Sequence, residues 1–244
     1  MKEFYINSDG IRLHAKLEIP EGKKKYPLMI VVHGLTGHME EEHIRLAAKA
    51  ALDEGYAALR VEMYGHGQSE GEFKDHTLFK WINNMLDVYK YVRNMEDVTD
   101  ISMCGHSQGG LLTILMGGLL GDHLKQIIPM SPAVMIPEDA RKGMILGMKF
   151  DPDNVPDLME FYDRQLGGDY LRTVQMIYVE EAIRKYHNRV LIIHGTKDEA
   201  VPFSYSLSTV NAYQDGRLVA IEDVDHGYTG KVDEMYQAIR DFLK

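Results

Sequence analysis

The sequence Gly105-His106-Ser107-Gln108-Gly109 decides the fold, because it places a serine between a predicted strand and a predicted helix. The strand is predicted at residues 100–104, and a buried helix is predicted at residues 110–116. A G-x-S-x-G pattern in this context is typical of a nucleophile elbow, a sharp turn that exposes the serine hydroxyl. The positive N-terminal end of the helix favours negative charge that develops beside the serine. The pattern indicates a nucleophilic Ser107 rather than a serine that only caps a helix.

Segments of strand length and of helix length alternate along most of the chain. An N-terminal hairpin is predicted at residues 4–19, with its turn at residues 8–10. The further predicted strands are residues 28–32, 56–62, 100–104, 127–130, 190–194 and 218–221, and the predicted helices are residues 41–54, 78–94, 110–116, 204–213 and 232–243. This alternation predicts an α/β fold with a mostly parallel central sheet and helices on both faces. Ligands in such folds bind beyond the carboxyl ends of the strands.

The alternation stops between residues 133 and 186, where proline, methionine and aromatic residues accumulate. Long excursions within compact domains often carry function. We therefore interpret residues 133–186 as a lid insertion over the active site, and residues 1–132 and 187–244 as the core domain. The alternative is a small helical layer that makes no contact with substrate.

The composition excludes several classes of partner. The 244-residue chain has a formal net charge of −10 and no basic stripe, so neither nucleic acid nor an anionic membrane is expected to bind it. No apolar run reaches the length of a membrane span, and the N-terminus lacks the apolar region of a secretory signal, so a cytoplasmic location is expected. Cys104 is the only cysteine, which excludes an internal disulfide, and it is expected in the core. A homodimer remains an open alternative.

A general base and an orienting acid are needed, because a serine hydroxyl is a poor nucleophile at neutral pH. Asp198 follows the predicted strand 190–194, and His226 lies between the next predicted strand and the last predicted helix. The chain order Ser107, Asp198, His226 is that of α/β-hydrolases and differs from the orders in the two main serine-protease folds. The sequence therefore predicts a catalytic triad of these three residues. Other carboxylates that could orient the base are Glu199, Asp223 and Asp225.

Two backbone N–H groups are predicted to form an oxyanion hole. One belongs to Gln108, which follows the nucleophile, and the other to Leu35 within His33-Gly34-Leu35-Thr36-Gly37. Each such donor typically contributes about 3 kcal/mol to transition-state stabilisation. His33 and His106 are interpreted as scaffold for these two loops rather than as proton carriers. None of the eleven histidines falls into a metal-binding pattern, so no metal and no cofactor are expected.

With these residues in place, nearly the whole chain resembles the α/β-hydrolase superfamily and, within it, the bacterial feruloyl (cinnamoyl) esterases. The stretches that carry the resemblance are residues 33–38, 63–69, 105–110, 131–133, 150–157 and 167–172. The elbow alone indicates only the superfamily, whereas residues 150–157 and 167–172 of the insertion indicate the subgroup. The resemblance implies an α/β-hydrolase fold with an inserted lid, and hydrolysis of esters between hydroxycinnamic acids and sugars or alcohols.

The resemblance also implies which residues of the insertion bind substrate. Tyr170 matches a family tyrosine that reaches toward the phenolic end of the acid, and Asp139 lies where some relatives have a carboxylate with a similar role. Phe161 and Tyr162 lie in the region that supplies ring-stacking contacts, although ordinary packing is the alternative for all four residues. Leu35 replaces the phenylalanine usual in these esterases, and Leu146 lies where some carry a polar residue, which implies a less polar acyl pocket.

The predicted activity is hydrolysis of a small-molecule carboxylic ester through an acyl-enzyme. Activity should rise with pH as the base loses its proton, near the ordinary histidine pKa of about 6.5. One alternative is a carboxylesterase or monoacylglycerol lipase that acts on aliphatic acyl esters. The other is a non-catalytic ligand-binding α/β-hydrolase, which would not react with a fluorophosphonate.

Overall fold

The computed structural model describes residues 1–244 and contains twelve strands and eight α-helices. The strands are β1 (Lys2–Ser8), β2 (Ile11–Glu18), β3 (Tyr26–Val32), β4 (Ala57–Val61), β5 (Val98–His106), β6 (Gln126–Met130), β7 (Met144–Ile145), β8 (Met148–Lys149), β9 (Leu158–Phe161), β10 (Arg164–Gly167), β11 (Arg189–Gly195) and β12 (Gly216–Ile221). The helices are α1 (Glu42–Asp53), α2 (Leu78–Arg93), α3 (Gln108–Leu120), α4 (Ile136–Arg141), α5 (Gly168–Val174), α6 (Val179–Lys185), α7 (Phe203–Asn211) and α8 (Val232–Leu243).

Eight strands form the central sheet, in the order β1-β2-β4-β3-β5-β6-β11-β12. The six strands from β4 to β12 in this order run parallel, whereas β1 and β2 form an antiparallel hairpin at one edge. This confirms the predicted α/β class and the mostly parallel sheet. Because β3 pairs with β5 up to Val32 and Gly105, the loop after β3 and the turn after β5 leave the sheet side by side. The sheet therefore brings the two predicted oxyanion loops together.

The central strands are apolar because both of their faces are covered. Along β3, Ile30 belongs to one buried cluster, whereas Met29 and Val31 belong to the other, as expected when successive side chains point to opposite faces. The first cluster includes Trp81 of α2 together with apolar residues of α3. The second includes apolar residues of α1 and α8, which pack against each other. Cys104 is fully buried in this second cluster, which confirms its expected place in the core.

Residues 133–186 leave the sheet after β6 and return to it at β11. They form helices α4, α5 and α6 and two small antiparallel hairpins, β7-β8 and β9-β10. Helix α6 packs closely on α3, because a Cβ atom at Gly118 would lie 2.4 Å from Cα of Ala182. The loss of alternation in the sequence thus coincides with a group of short elements whose buried side chains join the first cluster.

No helix in the structure combines the length and the apolar character needed to cross a bilayer.

Candidate active site

Ser107 lies in a one-residue turn between β5, which ends at His106, and α3, which begins at Gln108. Its backbone has φ 56° and ψ −118°, a conformation that costs free energy for a residue with a side chain. Glycines make the turn sterically feasible. A Cβ atom at Gly105 would lie 2.2 Å from the carbonyl oxygen of Gly109, and one at Gly109 would lie 2.3 Å from the carbonyl oxygen of His33. The strand-turn-helix context predicted for the elbow is therefore present.

Asp198 and His226 are joined by a hydrogen bond, with 2.6 Å between Asp198 Oδ2 and His226 Nδ1. The Asp198 side chain is fully buried, while that of His226 is 26% exposed. The other carboxylate oxygen of Asp198 accepts hydrogen bonds from the backbone N–H groups of Ala200 and Val201, at 3.0 Å and 2.8 Å. His194, which the sequence analysis did not single out, places Nε2 3.0 Å from Asp198 Oδ2.

Asp198 remains ionised at this buried position. Burial by itself raises the pKa of a carboxyl group, but the hydrogen bonds from His194 and His226 outweigh it and hold the pKa of Asp198 well below its ordinary range. A carboxylate facing His226 Nδ1 keeps the proton on that nitrogen. The other ring nitrogen, Nε2, is then free to accept a proton from a nucleophile.

The other carboxylates weighed from the sequence have partners elsewhere. Asp223 pairs with Lys197, 2.9 Å away, on the surface. Asp225 accepts hydrogen bonds from the N–H groups of Gly227 and Thr229 in its own loop, at 3.1 Å and 2.9 Å. Glu199 is exposed. Of the four candidates, only Asp198 hydrogen-bonds to the imidazole of His226.

Ser107 and His226 line one cavity of about 200 Å³. The cavity also contacts residues 34–37 of the loop after β3, and Leu146 and Tyr162 of the two small hairpins. The structure thus brings the predicted nucleophile and base to one site, at the carboxyl end of the sheet. The Ser107 hydroxyl and His226 are not hydrogen-bonded to each other in this conformation, which is common for catalytic pairs without substrate.

The two predicted oxyanion donors flank Ser107. Gly34 packs directly on the nucleophile, since a Cβ atom there would lie 3.1 Å from Cβ of Ser107. The N–H of the next residue, Leu35, has no acceptor within the protein. Gln108 is the first residue of α3, and the N–H groups in the first turn of a helix have no intrahelical acceptor. Both donors are therefore free to bind an oxyanion formed at Ser107.

His33 orients the peptide that carries the Leu35 N–H. Its Nε2 accepts a hydrogen bond from the N–H of Met63 at 3.1 Å, so its proton lies on Nδ1. Nδ1 then donates to the carbonyl oxygen of Gly34 at 2.7 Å, and this carbonyl belongs to the same peptide unit as the Leu35 N–H. Burial lowers the pKa of His33 well below its ordinary value, which agrees with a neutral ring. This arrangement agrees with the scaffold role predicted for His33.

His106 supports the other side of the site. Its Nε2 lies 2.8 Å from the carbonyl oxygen of His226 and donates to it. The ring of His106 packs on those of His226 and His43, with centroids 4.5 Å and 4.2 Å apart. Burial lowers the pKa of both His106 and His43, in the latter to about 4. A neutral His106 thus holds the backbone of His226, in agreement with its predicted scaffold role.

The four residues expected to bind substrate are placed differently. Tyr162 lines the cavity, at a hairpin tip where its φ is 55°. Phe161 is fully buried and stacks on Phe73, with ring centroids 6.3 Å apart. Tyr170 is fully buried, and its hydroxyl donates to the side-chain oxygen of Gln108 at 2.6 Å. Asp139, on α4, is half-buried. The last three do not line the cavity in this conformation.

Sequence reasoning missed two residues of the site. Glu41 lines the cavity beside Ser107 and His226, although in the sequence it is one of three successive glutamates at the start of a predicted helix. His194 contacts Asp198, and its position at the end of a predicted strand, four residues before the proposed acid, was a usable signal. No group of three or more histidine, cysteine, aspartate or glutamate side chains is arranged to hold a metal ion.

Comparison with known proteins identifies the family. Residues 23–160 match the sequence model of the family described as serine aminopeptidase, S33. The chain belongs to this family. Its fold is that of the α/β-hydrolases, as the resemblance implied.

The alignments with solved and curated relatives cover different shares of each protein. Est1E from Butyrivibrio proteoclasticus, whose structure was solved with ferulic acid bound, is 46% identical, with a TM-score of 0.97 over 98% of this chain and 97% of Est1E. Human protein ABHD12B is 24% identical over 232 residues, which cover 89% of this chain and 60% of ABHD12B. Monoglyceride lipase from Rattus norvegicus is 28% identical over 148 residues, which cover 59% of this chain and 47% of the lipase. The chain therefore spans only about half of the length of these two curated relatives.

Proposed function

We propose that the protein is a serine carboxylic ester hydrolase that acts on feruloyl-type hydroxycinnamoyl esters through an acyl-enzyme. The observation that carries this proposal is the likeness to Est1E, which extends over 98% of the chain and so includes residues 133–186. Est1E binds ferulic acid in its solved structure. The hydrogen-bonded Asp198–His226 pair beside Ser107 supports a catalytic role over a purely ligand-binding one.

In the proposed first half-reaction, Ser107 Oγ attacks the ester carbonyl and His226 Nε2 takes the hydroxyl proton. Asp198 holds the imidazole and stabilises the imidazolium that forms. The N–H groups of Leu35 and Gln108 donate to the oxyanion of the tetrahedral intermediate, which exists only along the reaction path. When the intermediate collapses, His226 gives its proton to the leaving alcohol and the acyl group stays on Ser107.

In the second half-reaction, water takes the place of the alcohol. His226 removes a proton from the water, and the resulting hydroxide attacks the acyl-enzyme carbonyl. The same two N–H groups receive the second oxyanion. Collapse returns the proton to Ser107 Oγ and releases the acid, so no cofactor takes part.

We propose residues 133–186 as a lid that forms the acyl pocket. Leu146 and Tyr162 line the cavity from the tips of the two small hairpins, which supports this role. Both residues have left-handed backbone conformations, with φ 44° and 55°, as tight hairpin turns require at such positions. The cavity volume of about 200 Å³ is below the range of roughly 300–1,000 Å³ typical of ligand pockets. The tips of the two hairpins therefore limit the space available to an acyl group.

A second candidate function is hydrolysis of aliphatic acyl esters, including monoglycerides. Two observations favour it: the likeness to monoglyceride lipase over 59% of the chain, and the apolar Leu35 and Leu146 in the cavity wall. Neither side chain offers a hydrogen bond to a phenolic hydroxyl. The two functions share the proposed catalytic steps and differ only in the acyl group.

The test compares kcat/KM for methyl ferulate, p-nitrophenyl butyrate and a monoglyceride. We expect methyl ferulate to be preferred, and a strong preference for the aliphatic esters would replace the first proposal with the second. Ser107→Ala should lower kcat by at least about 10⁴-fold and abolish covalent labelling by a fluorophosphonate. Ser208→Ala, which changes an exposed serine, is the matched control and should react as the wild type does. Failure of the wild type to label would contradict both hydrolytic functions.

A further inference from the structure

Glu41 forms part of the wall of the cavity that contains Ser107 and His226, and its Oε2 lies beside Gly37 of the same wall. Glu41 directly precedes α1, and its side chain is 30% exposed. It belongs to the core domain rather than to the insertion at residues 133–186. Glu41 therefore reaches the cavity from the core domain, whereas Leu146 and Tyr162 reach it from the insertion.

The hydrogen-bonding capacity of this carboxylate is largely unused within the protein. Oε2 of Glu41 accepts one hydrogen bond, from the N–H of His38 at 3.2 Å. His43 Nε2 lies 3.8 Å from the same oxygen, which is too far for a hydrogen bond, and it has no other partner. Oε1 has no hydrogen-bond partner, although a carboxylate can accept about four hydrogen bonds.

Glu41 is also held in place. A Cβ atom at Gly37 would lie 2.3 Å from Oε2, so the loop backbone packs directly on the carboxylate. Burial raises the pKa of Glu41, which reflects the free-energy cost of keeping a poorly hydrated carboxylate at this position. A fixed, partly desolvated acceptor with few internal partners is suited to bind a donor that enters the cavity.

The position of His226 identifies the part of the substrate that faces Glu41. In ester hydrolysis the leaving oxygen must lie within hydrogen-bond reach of the base that protonates it. Glu41 and His226 line the same cavity, and Oε2 of Glu41 packs against Gly37 of the loop after β3, which lines it too. We therefore expect the alcohol half of the ester on the side of the cavity that His226 and Glu41 line.

We propose that Glu41 forms an alcohol subsite that selects uncharged leaving groups rich in hydroxyls, such as glycerol or a sugar. Its carboxylate accepts hydrogen bonds from those hydroxyls and repels alcohols that carry a carboxylate of their own. This inference rests on the proposed ester hydrolysis and adds the class of alcohol to it.

The test measures kcat/KM at pH 8 for glyceryl ferulate, methyl ferulate and feruloyl quinate, whose alcohol carries a carboxylate. The enzymes are the wild type, Glu41→Gln and Glu41→Asp, with Glu42→Gln as the control that changes a neighbouring exposed glutamate. Each rate is divided by the methyl ferulate rate of the same enzyme. This division removes effects on His226 and on folding, because they act on all three esters.

In Glu41→Gln we expect the glyceryl-to-methyl ratio to fall by roughly tenfold or more, as for loss of a hydrogen bond to a charged group. The quinate-to-methyl ratio should rise by about threefold or more, because the repulsion is removed. Glu41→Asp keeps the charge and should keep the quinate ratio low, and Glu42→Gln should change neither ratio.

Three results would overturn the alcohol subsite: unchanged ratios in Glu41→Gln, ratios that move in the same direction, or equal changes in Glu42→Gln. A wild type that does not hydrolyse methyl ferulate contradicts the proposed acyl preference instead. The same ratios are then measured on glyceryl, methyl and quinate esters of butyric acid, and they decide the subsite by the same criteria.

Discussion

His194 and Asp198 have fully buried side chains that lie in contact, with His194 Nε2 3.0 Å from Asp198 Oδ2. The same nitrogen lies 3.0 Å from the carbonyl oxygen of Val201. Both neighbours are acceptors, so Nε2 carries the proton, and Nδ1 then accepts from the hydroxyl of Ser206 at 2.6 Å. Asp198 is thus held between two imidazoles, those of His194 and His226. We therefore expect His194 to position Asp198 rather than to contact substrate.

Replacing His194 should therefore lower turnover without weakening substrate binding. We expect His194→Leu to lower kcat by roughly 10- to 100-fold, because a misplaced Asp198 no longer aligns His226. KM should change by less than about twofold, since His194 does not line the cavity. Steady-state kinetics on methyl ferulate measure both quantities.

His194→Gln is the control for this prediction, because its amide N–H₂ group can still donate to Asp198. It should retain more of the wild-type kcat than His194→Leu, and thermal melting of both variants checks that they fold. Equal loss of kcat in the two variants, or an effect on KM alone, would contradict the positioning role.

The hydrogen bonds of His33 lead to a second prediction. His33→Phe removes the donor to the Gly34 carbonyl oxygen, so the peptide that carries the Leu35 N–H can rotate away from the oxyanion. We expect kcat to fall by roughly tenfold or more with KM nearly unchanged, which is less than the loss of an entire oxyanion donor. Single-turnover kinetics of acylation give the affected step directly.

The control for His33 is His76→Phe. It also replaces a fully buried imidazole, and His76 hydrogen-bonds to the carbonyl oxygen of Phe73 rather than to the loop after β3. Its acylation rate should exceed that of His33→Phe. If the two variants lose activity to the same extent, the effect reflects packing and not orientation of the Leu35 peptide.

Two glycines near the site should differ in how well they tolerate an added methyl group. A Cβ atom at Gly109 would lie 2.3 Å from the carbonyl oxygen of His33, a backbone atom that cannot move without disturbing the oxyanion loop. At Gly227 the nearest atoms to a Cβ are 3.9 Å away, which is ordinary contact. Gly109→Ala should lose about 1–3 kcal/mol of stability and most activity. Gly227→Ala should change the free energy of unfolding by less than about 0.5 kcal/mol.

Urea denaturation and turnover of the two alanine variants check this prediction. Similar stability losses would contradict it.

The expected difference also bears on how the sequence is interpreted. A glycine follows His226 in the sequence, yet the structure gives no steric requirement for glycine there. Glycine is sterically required at Gly109. Whether a glycine in a motif is required therefore depends on the backbone atoms that surround it.

The parts of the fold that the sequence predicts are the long segments with a clear pattern of apolar residues. Residues 28–32 are apolar throughout because β3 is covered on both faces, and such a run indicates a buried strand. The elbow is predictable because its motif is local in sequence, with one glycine two residues before Ser107 and one two residues after it, although the contact that requires Gly109 comes from the distant His33. The chain order of Ser107, Asp198 and His226 adds information that composition cannot supply.

The insertion is less predictable, because its strands are only two to four residues long and too short to show a period of two. Phe161 was expected to stack on substrate, but it is buried against Phe73, while its neighbour Tyr162 lines the cavity. Which of two adjacent aromatic residues faces the cavity depends on hairpin register. Glu41 was missed because acidic residues at the start of a helix are common for reasons of helix stability alone.

Burial of His43 leads to a prediction about stability at acidic pH. Its side chain is 8% exposed, and burial lowers its pKa to about 4 from an ordinary value near 6.5. Above pH 6.5 the ring is neutral in both states and its contribution to stability is complete. Between pH 6.5 and 4 only the unfolded chain takes up the proton, so the free energy of unfolding falls by up to about 1.4 kcal/mol per pH unit, or about 3 kcal/mol in all.

His43→Gln cannot take up this proton, so its stability should depend less steeply on pH than that of the wild type. His76 and His106 are buried with lowered pKa values too, and they preserve part of the slope in the variant. Urea denaturation at pH 7, 6 and 5 gives the slopes, and His123→Gln, which replaces an exposed histidine, should leave the slope unchanged. Parallel stability curves for wild type and His43→Gln would mean that the buried imidazole takes up its proton as readily as in the unfolded chain.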